Sequence, residues 1–195
     1  MGERDTSFAR LVTLAAHDLR TPLATIHGFA QTIVRLGSLE EPNDRYMDMI
    51  AAATKQLAEL LDELSLAARI EGGRYEPNLQ EIDTLELARG AASELGEERV
   101  RVNGEGGHVR VDVDATKRGV AALAQAALRH GGFDEVECRA DDGGVTISPV
   151  TAASGPVVLG QDLRDLGAAV AVRLIAALGG SVSLDGDTVV VNLPS

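Results

Sequence analysis

The chain has 195 residues, room for one ordinary domain or two small ones, and its 18 basic and 30 acidic residues give a formal net charge of −12. An acidic balance of this size excludes a general nucleic-acid binder, which needs concentrated lysine and arginine to meet the phosphate backbone. Hydrophobic residues make up 45% of the chain but aromatics only 3%, with no tryptophan, so the core must be built from Leu, Val, Ile and Ala.

The single cysteine, Cys138, excludes an intramolecular disulfide framework and a cysteine-based zinc site, and fits a reducing cytoplasm. Residues 1–10 lack the charged-then-apolar pattern of a secretion signal, and no run of 18 apolar residues offers a membrane span. The expectation is a cytoplasmic chain with no membrane segment of its own, any sensor or membrane part lying outside it.

In chain order, two textures follow each other. Residues 4–71 have few glycines and long apolar periodicity, whereas residues 76–195 are rich in Gly and Val with short alternating runs. Glu71-Gly72-Gly73-Arg74 between them reads as a helix stop and hinge, so the expected domains are 1–73 and 74–195.

The first helix is predicted over residues 6–36. Its apolar stripe is Phe8, Val12, Ala15, Leu19, Pro22, Ile26, Phe29, Ile33 and Leu36, alternating steps of four and three as in a coiled coil. Gly37 stops it, residues 38–43 form a loop, and a second helix starts near Asp44 with Asn43 as its cap. The second stripe is Tyr46, Ile50, Ala53, Leu57, Leu60, Leu64 and Ala67. The two stripes are expected to form the seam of an antiparallel hairpin. Leu11, Leu14, Leu23, Leu61 and Leu66 then need another partner, either a second copy completing a four-helix bundle or the C-terminal region of the same chain.

His17 lies two residues past Ala15, roughly 200° around the helix, so it is expected to face solvent. An exposed imidazole on a rigid helix can be reached by another protein, and its unprotonated nitrogen is a nucleophile near neutral pH. Asp18 is placed to orient the ring or take a proton. Thr21, at i+4, shares the face of His17 and can position a water or a phosphoryl oxygen. Pro22 removes one backbone bond and should bend the helix just past the histidine. Arg20 and Pro22 are candidates for docking a partner.

The second region reads as mixed α/β, an α/β sandwich with helices on one face of the sheet. Helices are predicted over 82–95, 115–129 and 163–178. Strands are predicted over 99–103, 108–114, 135–139, 144–148, 181–184 and 188–193. The Gly-Gly pairs at 72, 106, 131, 143 and 179 read as turns and caps. His27 is expected to be structural or superficial, His130 to end a helix, and Cys138 to be a small core residue.

The string His17-Asp18-Leu19-Arg20-Thr21-Pro22-Leu23 resembles the H-box of bacterial two-component sensor histidine kinases. That resemblance covers about residues 5–71. It implies a dimerising hairpin with His17 as phosphoacceptor, Asp18 as acid/base helper, and Asp18 with Thr21 supporting dephosphorylation of a response regulator. The C-terminal part is similar to the family's GHKL-type ATP-binding domain: 112–130 to its asparagine-box helix, 165–180 to its last glycine box and following helix, 188–194 to its final strand. The family's chemistry is missing there. The Mg²⁺-binding asparagine falls on Ala126 and the helix's other asparagine on Ala122. The adenine-recognising carboxylate would lie within 147–153, Ile-Ser-Pro-Val-Thr-Ala-Ala, which has none. The glycine box keeps Gly167 but has Asp165 and Ala168 beside it, and the lid shrinks to residues 151–162.

The resemblance therefore implies a degenerate ATPase-like domain with no cofactor of its own, as in the kinase-like histidine phosphotransferases, although the H-box is that of an ordinary kinase. The expected function is phosphate relay on His17 between response-regulator receiver domains, which supply the Mg²⁺, with possible phosphatase activity and no nucleic-acid partner. The alternatives are a divergent kinase core that phosphorylates His17 from ATP, and a non-catalytic dimer that sequesters a regulator.

Overall fold

A computed structural model describes residues 6–36 and 43–194. The stop expected at Gly37, most of the loop over 38–43, and the side chains of Phe8, Leu11, Leu14, Ala15 and Asp44 lie outside the described residues. The chain divides between Tyr75 and Glu76 into two compact units.

The first unit is a hairpin of α1 (Thr6–Leu36) and α2 (Asn43–Glu71). Arg20 meets Asp62 and His27 meets Thr54, so the helices run antiparallel. Helix α1 passes through Pro22 without a break, although the Pro22 ring supplies no N–H to the Asp18 carbonyl.

The seam is not the one the apolar periodicity predicts. Leu19, Ile26, Phe29, Leu36, Ile50, Leu57, Leu60 and Leu64 are exposed, Phe29 to 67%. The buried positions follow those stripes by one residue on both helices. Ala16 and Ala30 of α1 and Thr54 and Ala68 of α2 are buried, with Leu23, His27, Ala58 and Leu61 half-buried among them. These inward positions carry mostly small side chains, and the bulky stripe is left one step around each helix. Inside the seam, the His27 Nδ1 lies 3.1 Å from Thr54 Oγ1 and 3.2 Å from the Ala51 carbonyl, while Thr54 Oγ1 donates to the Ile50 carbonyl. His27 is thus a structural residue joining the helices.

The second unit holds β1 (Leu79–Asp83), α3 (Thr84–Leu95), β2 (Val100–Gly104), β3 (His108–Asp112), α4 (Val113–Gly131), β4 (Val136–Asp141), β5 (Gly144–Ser148), α5 (Gly155–Val158), α6 (Leu166–Ala177), β6 (Ser181–Asp185) and β7 (Thr188–Asn192). The main sheet has the order β2-β4-β5-β7-β6, with β2 and β4 parallel and the other neighbours antiparallel. Strands β1 and β3 form a separate antiparallel ribbon. Val136, Cys138 and Ala140 of β4 are buried while Glu137 and Arg139 are exposed, so one sheet face carries the core and the other meets solvent. Leu87 of α3, Leu123 and Leu128 of α4, Ile147 of β5 and Ile175 of α6 fill that core.

Several predicted boundaries shift. The helix expected from Ile82 starts at Thr84, because Ile82 pairs with Val109 in the missed strand β1 and Asp83 caps α3 by accepting from the Leu85 N–H at 2.8 Å. The strand expected to reach Asp114 ends at Asp112, which caps α4 by accepting from the Ala115 N–H at 3.3 Å. The helix expected from Leu163 starts at Leu166 behind Asp165, which accepts from the Ala168 N–H at 3.1 Å. The segment over 151–162 contains the unpredicted α5, anchored by fully buried Val157 and Val158. Cys138 is a core residue; burial, and secondarily the neighbouring Glu137 carboxylate, push its thiol up to about 12.

Candidate functional site

His17 projects from the middle of α1 with its side chain 74% exposed, next to seam residue Ala16. Its Nδ1 lies 3.3 Å from Asp18 Oδ1. A carboxylate can only accept, so in this pairing Nδ1 carries the proton and donates. The lone pair is then on Nε2, the atom a helix-bound imidazole can present to an incoming electrophile. One turn on, Thr21 and Pro22 are both exposed.

Arg20 is engaged within the chain. Its Nη2 donates to Asp62 Oδ1 of α2 at 2.5 Å, and both side chains are half-exposed. Sequence reasoning missed Asp62: nothing in a single sequence pairs residues 42 positions apart unless the hairpin register is known. The structure therefore brings His17, Asp18, Arg20 and Thr21 onto one level of α1 and adds Asp62 from the facing helix.

In the second unit the residues that the resemblance assigns to nucleotide positions are apolar or paired within the chain. Ala126 is fully buried in the core, and Ala122 is partly buried. Asp165 is 8% exposed. Besides capping α6, its Oδ2 accepts from His130 Nε2 at 3.0 Å and pairs with Arg129 Nη1 at 3.5 Å. The C-terminal end of α4 is thus tied to the start of α6 by a carboxylate. Among the described residues, no group of three or more His, Cys, Asp or Glu is placed to hold a metal ion, and no helix is long and apolar enough to cross a membrane.

Residues 9–73 match the His Kinase A (phospho-acceptor) domain. Histidine protein kinase DivJ of Caulobacter vibrioides is 30% identical over 176 residues, covering 82% of this chain and 28% of that protein. The full-length structure of ShkA in complex with AMPPNP superposes with a TM-score of 0.67 at 19% identity, over 93% of this chain and 44% of that one. The chain carries a two-component histidine kinase core. The second unit of this core also has the fold of the ATP-binding domain of PrrB from Mycobacterium tuberculosis, with a TM-score of 0.50 at 20% identity over 60% of the chain and 98% of that domain. The match places the kinase core in the histidine kinase class of phosphotransferases. The chain spans 15–28% of the length of DivJ and two other curated sensor kinases that it matches.

Proposed function

We propose that this chain is a histidine phosphotransfer protein, carrying phosphate on His17 between the aspartates of response-regulator receiver domains. The observation that carries the reading is the exposed His17 ring with Nδ1 engaged by Asp18 and Nε2 left to react. In the transfer step the Nε2 lone pair attacks phosphorus of a receiver aspartyl phosphate. The N–P bond forms as the P–O bond breaks, and the electron pair returns to the receiver carboxylate. The proton stays on Nδ1, where Asp18 stabilises the positive ring. The receiver brings the Mg²⁺ that neutralises the phosphoryl oxygens. In a separate, hydrolytic reaction Asp18 and Thr21 orient a water whose oxygen attacks phosphorus of the receiver's aspartyl phosphate; the P–O bond to the receiver breaks and inorganic phosphate leaves.

The residues of the second unit do not fit a Mg²⁺-nucleotide, and no step is assigned to one. Ala126 has no ligand atom and residues 147–153 no carboxylate. Asp165 places a negative charge at the α6 N-terminus, where a phosphate would otherwise find unpaired N–H groups. Residues 76–195 hold 19 acidic and 10 basic residues, a field that repels a polyanion. Two copies of the hairpin pairing through Leu19, Ile26, Phe29, Leu57, Leu60 and Leu64 would bury the exposed stripe in a four-helix bundle. The reading places this dimer in the cytoplasm with its receivers.

The deciding assay is transfer from a panel of phosphorylated receivers to the wild-type chain and to His17→Ala. Label on wild type and none on the variant is expected; no label on wild type from any receiver overturns the relay. A second reading, autophosphorylation of His17 from ATP, is favoured by relatives that are sensor kinases. Labelled ATP with Mg²⁺ tests it on the same sample, and undetectable binding at millimolar ATP removes it. Thr21→Ala should slow receiver dephosphorylation while sparing label on His17.

A further inference from the structure

Arg20 and Asp62 form the ion pair nearest in sequence to His17 that crosses between α1 and α2. Arg20 is three residues from His17, so the two side chains are surface neighbours on α1, with about 5–6 Å between their Cβ atoms. Arg20 is therefore a cation within reach of a phosphoryl group on the imidazole. Yet its guanidinium is already shared with the Asp62 carboxylate.

We propose that Asp62 is a positioning residue that sets the phosphoryl-transfer equilibrium by competing with phospho-His17 for the Arg20 guanidinium. This rests on the reading of His17 as a phosphate carrier. Before transfer, Asp62 holds Arg20 toward α2 and satisfies its charge. After transfer, the two negative charges of the phosphoryl group draw on the same guanidinium, whose planar fork can serve two oxyanions at once. The phosphorylated histidine is stabilised, but by less than an unshared arginine would provide. Phosphate passed to His17 is thereby kept easy to give away, as a relay intermediate requires. Both groups are half-exposed, so the effect is that of a screened surface pair, about two- to fivefold in the equilibrium constant.

The test uses the full chain and a receiver selected because it exchanges phosphate with wild type. The quantity read is the equilibrium ratio of phospho-His17 to phosphorylated receiver. Asp62→Asn frees Arg20 and should raise the ratio about two- to fivefold. Arg20→Ala should lower it by a similar factor. Both variants break the same hairpin contact and should lower thermal stability alike, so a merely structural role would move the ratio in one direction for both. In the Arg20→Ala background, Asp62→Asn should have no further effect. The charge swap Arg20→Asp with Asp62→Arg restores the ion pair and the stability but moves the cation to α2, and should keep the low ratio. The inference is overturned by an unchanged ratio in Asp62→Asn, by equal effects of that substitution with and without Arg20, or by a swap that restores the ratio. If no receiver labels wild type, the relay reading fails first and the inference with it.

Discussion

Asp165 makes a prediction that can be worked from its contacts. Its carboxylate is almost fully buried, caps α6 through the Ala168 N–H and accepts from His130 Nε2. Replacing a capping aspartate by alanine costs about 1 kcal/mol. Removing the anionic partner of a half-buried His adds about 1.5–3 kcal/mol. Arg129 is more than half exposed, so its 3.5 Å contact adds nothing to this figure. Asp165→Ala should therefore destabilise the α/β unit by about 2.5–4 kcal/mol, and Asp165→Asn, which can keep the cap, by about half of that. The lone cysteine supplies a selective assay, because Cys138 lies in the core of this unit and labels only when the unit opens. At about 1.4 kcal/mol per tenfold change, thiol labelling should speed up about 60- to 700-fold in Asp165→Ala, provided the chain opens and closes faster than it is labelled. A double-mutant cycle with His130→Ala should return a coupling of about 1–2 kcal/mol. A loss under about 0.5 kcal/mol, or no coupling to His130, would refute the reasoning that this carboxylate joins α4 to α6.

Three further outcomes follow from burial. Ile26→Glu combined with Leu57→Glu puts charges on the exposed stripe but not in the seam, and should convert a species of twice 20.4 kDa into a helical monomer by sedimentation; a wild-type monomer at high micromolar concentration would count against the bundle. Ala30→Leu inserts bulk where Ala30 is 2% exposed and should cost about 1–3 kcal/mol of hairpin stability by thermal melting, whereas Phe29→Ala on the stripe should leave the isolated hairpin contact intact. Cys138 keeps its proton to about 12 in the folded state but has an ordinary value of 9.0 when unfolded. Its burial thus contributes stability below pH 9 that is lost as pH rises from there toward 12, and Cys138→Ala should flatten that part of the pH–stability curve.

Much of the second unit could be read from alternation and glycine punctuation, because β4, β5 and β7 each bury one face and helix α4 ends at a glycine pair. The three shifted helix starts share one cause. The periodic pattern runs strands or helices through Asp83, Asp112 and Asp165, and each is a helix cap. An aspartate at a boundary carries no apolar signal, and its capping role shows only when the N–H two or three residues on is seen to turn back to it. Asp165 was legible as a departure from the glycine box, yet its pairing with His130, 35 residues away, required the fold. For the candidate site the same limit applies. His17, Asp18 and Thr21 share one helix and could be placed by counting, while Asp62 sits on the other helix and could not.

The hairpin shows what periodicity does and does not determine. Steps of four and three identify an amphipathic helix whichever neighbour it meets, and the bulky stripe and the small-residue stripe one position later obey the same steps. Choosing the bulky one as the internal seam assumes that the largest apolar side chains are buried first. In this hairpin the smaller residues take the inward positions, Ala16, Ala30, Thr54 and Ala68 being buried, while Leu19, Ile26, Phe29, Leu57 and Leu60 stay exposed. Five large apolar residues in step along the hairpin are costly to leave in water, so a seam built largely of small residues is itself an argument for a second layer of helices. It also leaves His17, directly after buried Ala16, exposed one turn before Arg20, which Asp62 reaches from α2.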